Sequence, residues 1–398
     1  MVDPAREAWI TGIGIVSCLG EGPDAHWQAL NEGRICADTE SHAPYVIHPV
    51  VPIDFDKQIP KKGDQRQMEA WQRIGTYAAG LALEDAGVKG NAEILTRIDL
   101  IVAAGGGERD EAVDRAVLTG VPKATNPAAF LNERLTNDLR PTLFLTQLSN
   151  LLAGNISLVH GVTGSSRTFM GEESAGIDAM RIALARINAG QSEIALVGGA
   201  NNAERKYIIM IYEFAGLNWK GPPVSVWSRG AHGGGFSHGS LGAFLVIESR
   251  SHAEKRGAKR FAKLSCVLAD GTKRQAGALT ETLARMWASL RNRLRPGDFA
   301  VISGASGVEP ATSEERAFLS TLSGVAVRAP ASYIGHSMEP QFPMNVALAA
   351  VSVKRGELVA VHDTSELERP HAGPLRQVVV TGVGHWRGEG MALIEAVS

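Results

Sequence analysis

Two adjacent carboxylates, Glu172 and Glu173, stand in the stretch FMGEESAG. It follows the Gly- and Ser-containing run VTGSSRT and opens a small-residue helix, SAGIDAMRIALARINAG. At a helix start an acid gains ~0.3–1 kcal/mol from the positive end of the helix dipole. The same place is where backbone N–H groups and the dipole activate a nucleophile. The pair therefore reads two ways: as a helix cap, or as acids standing where something reactive should stand. Other motifs carry less chemistry. TGIGIVS offers Gly12 and Gly14 to a dinucleotide-type glycine loop, but the third glycine position is Ser17, so it reads as a structural strand turn. AAGGGERD has no phosphate-loop lysine. His232 and His238 flank a glycine run and read as structural, and no histidine has metal-ligand spacing to acids or cysteines. No cofactor and no metal is expected.

The elements that position these residues alternate between strand and helix. AWITGIGIV (8–16) reads as a buried strand, HWQALNEGR (26–34) as a short helix, and Met68, Trp71, Ile74, Ala78 and Leu81 recur at helical spacing before Gly87. IDLIVAAGGG (98–107), EIALVGGAN (193–201), GAFLVIES (242–249), RFAKLSCVLAD (260–270), DFAVISGAS (298–306), RQVVVTGVG (376–384) and GMALIEAVS (390–398) are further strands. Strands bounded by helices imply α/β layering. The echo between WITGIG (9–14) and VVTGVG (379–384) hints at two related halves. The stretch from His42 to Asp64 and that at 124–141 read as surface excursions.

With 398 residues, 44% hydrophobic and 21% charged, the chain can bury a large core. A net charge of -2 implies no bulk attraction to nucleic acid or anionic membrane, and the basic run EKRGAKR (254–260) reads as a solvated turn. Cys18, Cys36 and Cys266 form no framework for disulfides or zinc and fit a reducing compartment. The N-terminus lacks a signal-peptide pattern, and no apolar run is long enough to cross a bilayer. A cytoplasmic location is expected.

The order of motifs carries a resemblance. VWSRGAHGGGFSHGSLGAFLVIE (226–248) is similar to the DGFVLGEGAG-plus-strand signature of beta-ketoacyl-acyl-carrier-protein synthases. TGIGIVSCLGEG, LSNLLAGNISLVHGVTG (148–164), GHSMEP (335–340) and TGVGHWRGEGMALIE resemble that family's opening strand, active-site helix approach, second histidine motif and closing glycine hairpin. The resemblance spans the chain and implies an α/β thiolase-like fold. Two similar α/β halves, 1–250 and 251–398, would be fused into five layers, αβαβα, and normally dimerise.

In active members a cysteine at the buried helix start takes an acyl chain from a carrier protein, assisted by two histidines, a lysine and an oxyanion hole. Aligning ESAGIDAM on the family's CASGANAI places Glu173 at the cysteine. ASGVEP (305–310) in place of HGTSTP puts Ala305 at the first histidine. ASYIGH (331–336) in place of KSMTGH puts Ala331 at the lysine and leaves His336. Ser240 replaces the glutamate of GEGAG, and GHWRG places Trp386 where a gating phenylalanine sits. Glu173 cannot form a thioester. An ionised Glu173 would also repel a malonyl carboxylate ~4 Å away by roughly 4 kcal/mol at an effective dielectric of ~20.

The resemblance implies a condensation-inactive subunit, similar to the chain-length factors of type II polyketide systems, paired with an active ketosynthase and served by acyl carrier protein. Leu143, Phe144 and Leu148, in PTLFLTQLSN (141–150), are the tunnel candidates at the dimer interface. The alternatives are a malonyl-carrier decarboxylase or acyl thioester hydrolase using Glu173 and His336 as an acid–base pair, and a homodimeric carrier-binding module.

Overall fold

The structure is a computed structural model that describes residues 3–107, 109–141, 143, 147–363 and 367–397. Among the described residues ten main strands form one continuous path: β1 (Ala8–Ser17), β2 (Asp99–Ala103), β3 (Ser166–Phe169), β4 (Ile194–Asn201), β5 (Leu241–Ser249), β6 (Ala262–Asp270), β7 (Phe299–Ile302), β8 (Val327–Arg328), β9 (Gln377–Val383) and β10 (Glu389–Glu395). Their spatial order is β8-β7-β9-β10-β6-β1-β5-β4-β2-β3. Outward from β1 the pairings run antiparallel to β5, antiparallel to β4, parallel to β2 and parallel to β3. Outward from β6 the same series recurs through β10, β9, β7 and β8. Two five-stranded sheets of identical topology therefore meet along a short antiparallel seam, Ala8–Ile10 against Ala262–Leu264.

Six helices complete the layers: α1 (Ala70–Asp85), α2 (Leu151–His160), α3 (Glu173–Asn188), α4 (Ala278–Leu290), α5 (Ala311–Ser320) and α6 (Gln341–Arg355). Strand β9 shows why both faces of a sheet are covered. Val378 and Val380 join the central core with Ile177, Met180 and Leu184 of α3 and Val346, Leu348 and Val351 of α6. Val379, on the opposite face, packs with Leu283 and Met286 of α4 and Phe318 of α5. The alternation follows from the two-residue period of a strand. On the other sheet Ile13 and Ile15 face the central helices, while Val16 and Phe244 meet Trp71 and Ile74 of α1 and Leu152 of α2. The result is a five-layer stack with α3 and α6 in the middle.

The glycines of the opening strand belong to this packing. A Cβ on Gly14 would lie 2.0 Å from the Ala78 carbonyl oxygen, and one on Gly12 2.5 Å from that of Ala82. They let α1 lie directly on β1, which agrees with reading TGIG as structural.

Two expectations are corrected. The echoing strings sit on non-equivalent strands, because VVTGVG lies on β9, whose counterpart by topology is β4 rather than β1. Buried strands ending in glycine simply converge on similar sequences. The stretch 42–64 is also not wholly superficial. Val46, Ile47, His48, Gln58 and Ile59 are buried, and Ile47–His48 pairs in parallel with His238–Gly239 beside the site. By contrast the helix Pro127–Asn137, within 124–141, has no buried residue.

Candidate functional site

The two central helices begin at one place. Helix α3 starts at Glu173, which is 3% exposed. Helix α6 starts at Gln341, just after the loop carrying His336, Met338 and Glu339. Among the described residues, Glu172 (φ +57°) and Met338 (φ +56°) are the non-glycine residues with positive φ. Such strain persists only where surrounding contacts enforce it, and it concentrates at functional sites.

The Glu173 carboxylate holds two imidazoles. His336 Nε2 lies 2.8 Å from Oε1. His385 Nδ1 lies 3.0 Å from Oε1 and 3.2 Å from Oε2. An ionised carboxylate only accepts, so both rings donate. Burial alone would raise the Glu173 pKa, but the charge of His385 and the hydrogen bonds from both histidines overcome it and hold the carboxyl well below the usual range. For His385 burial works downward, yet Glu173 and then Glu172 raise its pKa above the ordinary imidazole value. Glu172, half-buried, shifts upward, chiefly through desolvation. Its Oε1 accepts from the Tyr212 hydroxyl at 3.0 Å. Glu339 is buried without, among the described residues, a cationic hydrogen-bond donor of this kind, and desolvation pushes its carboxyl up to about 7.

Each imidazole is aimed by its backbone. The His336 N–H donates to the Ser237 carbonyl (2.8 Å), and the Gly239 N–H donates to the His336 carbonyl (2.9 Å). A Cβ at Gly239 would meet the Ile334 carbonyl oxygen at 2.2 Å, so the glycine-rich run clamps the histidine loop. His385 sits in the turn between β9 and β10. Arg274 donates to the Gly384 carbonyl (2.6 Å) and pairs with the fully buried Glu389 (2.8 Å), fixing that turn. Phe236 packs against His238, His336 and His385, with ring centroids 4.9, 5.4 and 5.7 Å away.

Of the sequence-selected residues, Glu173 and His336 are brought together. Ala305 and Ala331 are buried in the apolar cluster on the outer face of the second sheet, with Val383 and Met391. Their methyl groups can neither donate nor accept a proton. Trp386 is 54% exposed beside His385. Leu143 is buried and Leu148 exposed, while Phe144 lies outside the described residues. Sequence reasoning missed His385, Tyr212 and Glu339. The signal for His385 was in GHWRG, one residue before the tryptophan that drew attention.

The profile of the beta-ketoacyl synthase N-terminal domain matches residues 5–253. The chain belongs to the beta-ketoacyl synthase family. A relative of this ketosynthase-like chain, 3-oxoacyl-acyl-carrier-protein synthase 2 of Vibrio cholerae, is 26% identical over 268 residues, 65% of this chain and 62% of the relative. The chain thus spans less than two thirds of that relative's length. The tetracenomycin polyketide synthase ketoacyl synthase beta subunit of Streptomyces glaucescens is 24% identical over 87% of this chain and 85% of its own. Among solved structures, the ishigamide ketosynthase/chain length factor superposes with a TM-score of 0.79 at 19% identity, over 99% of this chain and 100% of that one. A type II polyketide ketosynthase in complex with its acyl-carrier protein gives 0.73 at 16% identity, over 98% and 99%. These likenesses fix the thiolase-like fold. Among the described residues no helix is long and apolar enough to cross a membrane.

Proposed function

We propose that this chain is a condensation-inactive ketosynthase-like subunit of fatty acyl or polyketide elongation, acting as a chain-length factor in a heterodimer with an active ketosynthase. The observation that carries this reading is the Glu173 carboxylate. It stands at the start of the buried central helix, holds its charge, and is tied to His336 and His385. A carboxylate so placed forms no thioester and repels a second anion. The alanines at 305 and 331 remove two further polar groups. Likeness to a ketoacyl synthase beta subunit and to a ketosynthase/chain length factor supports the same reading.

Exposed apolar side chains around the site favour a covering partner. Met170 (66% exposed) precedes the turn at Gly171 and Glu172. Phe214 (85%) lies on the helix that carries Tyr212, and Trp386 (54%) follows His385. Apolar surface of this kind marks interaction sites. Leu143 and Leu148 remain the proposed tunnel residues, with acyl carrier protein as the visiting partner. Co-expression with each ketosynthase of the same genome is the test. A stable heterodimer that makes a product of defined length is expected; homodimers alone in every pairing would end the proposal.

The second reading is acid–base chemistry on an acyl or malonyl thioester. It is favoured by the buried Glu173–His336 hydrogen bond. Pure protein incubated with acyl- and malonyl-carrier decides it. No turnover, or turnover unchanged by Glu173→Gln, removes this reading.

A further inference from the structure

We propose that Glu172 and His385, with Glu173 orienting the histidine, form a binding site for a divalent transition-metal ion. This inference does not depend on the chain-length-factor reading. One carboxylate oxygen from each glutamate and a ring nitrogen of His385 all lie within 4.8 Å of one another. One pair is already at ligand spacing. His385 Nε2 and Glu172 Oε2 are 3.6 Å apart, too far for a hydrogen bond. Two donors at bonds of ~2.1 Å and that separation subtend about 118° at a shared ion, within the range of tetrahedral and trigonal sites.

The histidine gives the independent observation. Its side chain is 0% exposed, and Nε2 has no hydrogen-bond partner. A buried ring nitrogen without a partner is costly unless something is bound there. The other nitrogen, Nδ1, is hydrogen-bonded to the Glu173 carboxylate. That is the arrangement by which metal-binding histidines are oriented, with the far nitrogen donating to a carboxylate and the near one turned to the ion. Tyr212 occupies Oε1 of Glu172 and leaves Oε2 facing the ring. Glu173 stays the acceptor for Nδ1 and is itself steadied by His336 Nε2 from the other side. The half-exposed side of Glu172 leaves coordination positions open toward solvent. An imidazole with a carboxylate suits zinc, cobalt, iron or manganese better than magnesium or calcium. The sequence concealed the site because its donors lie on two turns more than 200 residues apart.

The probe is Co²⁺ alone, added to the purified full-length chain in chelator-free buffer and followed by visible absorption and calorimetry. One equivalent should bind with the bands of a four- or five-coordinate ion, and Zn²⁺ should displace it. Glu172→Gln and His385→Gln should each abolish the bands. Glu173→Gln should weaken binding by about 10–100-fold, the loss typical of an orienting partner. Absence of bands, or binding that survives both Glu172→Gln and His385→Gln, overturns the proposal. Glu172 is half-exposed, so its variant decides the matter even if the His385 variant fails to fold.

Discussion

Helices α3 and α6 hold equivalent places in the two halves, each between the third and fourth strands of its sheet. Each start is preceded by a non-glycine residue at positive φ, Glu172 in one half and Met338 in the other. Each also places a buried glutamate, Glu173 or Glu339, at the shared site. There the likeness stops. Glu173 receives two imidazoles and stays ionised far below its ordinary range. Glu339 is surrounded by Arg205 and by the negative charges of Glu173 and Glu172, and desolvation leaves its carboxyl near 7. The same residue type in mirrored positions is thus shifted in opposite directions. Hydrogen-bond donors decide which one, because burial alone raises both.

The comparison can be broken in order of expected effect. Glu173→Ala removes the acceptor from two buried imidazoles. A loss of about 3–5 kcal/mol in denaturant unfolding is expected at neutral pH, as for other buried pairs stripped of one partner. A loss under 1 kcal/mol would show that the two histidines are indifferent to the charge. Glu339→Gln should act in the opposite direction. With a folded value near 7 against an ordinary 4.5, the folded protein keeps a proton that the unfolded chain releases between those values. Stability therefore falls as pH rises through that window. The Gln variant should be more stable than the parent by about 3 kcal/mol at pH 8 and nearly equal to it at pH 4. Parallel pH profiles would put Glu339 in the same class as Glu173.

Smaller effects sharpen the geometry. A Cβ on Gly176 of α3 would lie 2.3 Å from the Glu339 carbonyl oxygen and 2.9 Å from Pro343 Cδ. Gly176→Ala should force the two helix starts apart at a cost of about 1–3 kcal/mol, read as a lowered denaturation midpoint. Tyr212→Phe removes only the hydroxyl bonded to Glu172. About 1 kcal/mol is expected, and a larger loss would mean that this bond holds the strained turn in place.

Most strands were legible, because β1, β4, β5, β9 and β10 are apolar runs punctuated by glycine. Ser166–Phe169 was not, since a short edge strand with half-exposed polar side chains lacks both the apolar run and the alternation that mark a strand. The Glu173–His336 pairing was legible through the family's motif order. The second imidazole was not, because nothing local to GHWRG says which side chain turns inward. That choice is made by Arg274, more than 100 residues earlier, gripping the carbonyls of Gly384 and Gly388. Glu339 lies inside GHSMEP without anything there to mark it, Tyr212 belongs to no motif, and the roles of both exist only once the two halves have closed on each other.

The placement of β1 at the seam bears on how the chain is made. Its ladder partner β5 begins at Leu241, and its partner across the seam, β6, begins at Ala262. At about 5–20 residues per second, a ribosome takes on the order of ten to fifty seconds to deliver β5 after β1 has emerged. Throughout that interval the apolar strand Ala8–Ser17 lacks both long-range partners, with only Val16 and Ser17 paired locally to Gly20–Glu21. Newborn chains should therefore lean on chaperones that shield extended apolar segments, and expression yield should respond to translation speed between residues 17 and 241 more than to codon choice beyond β6.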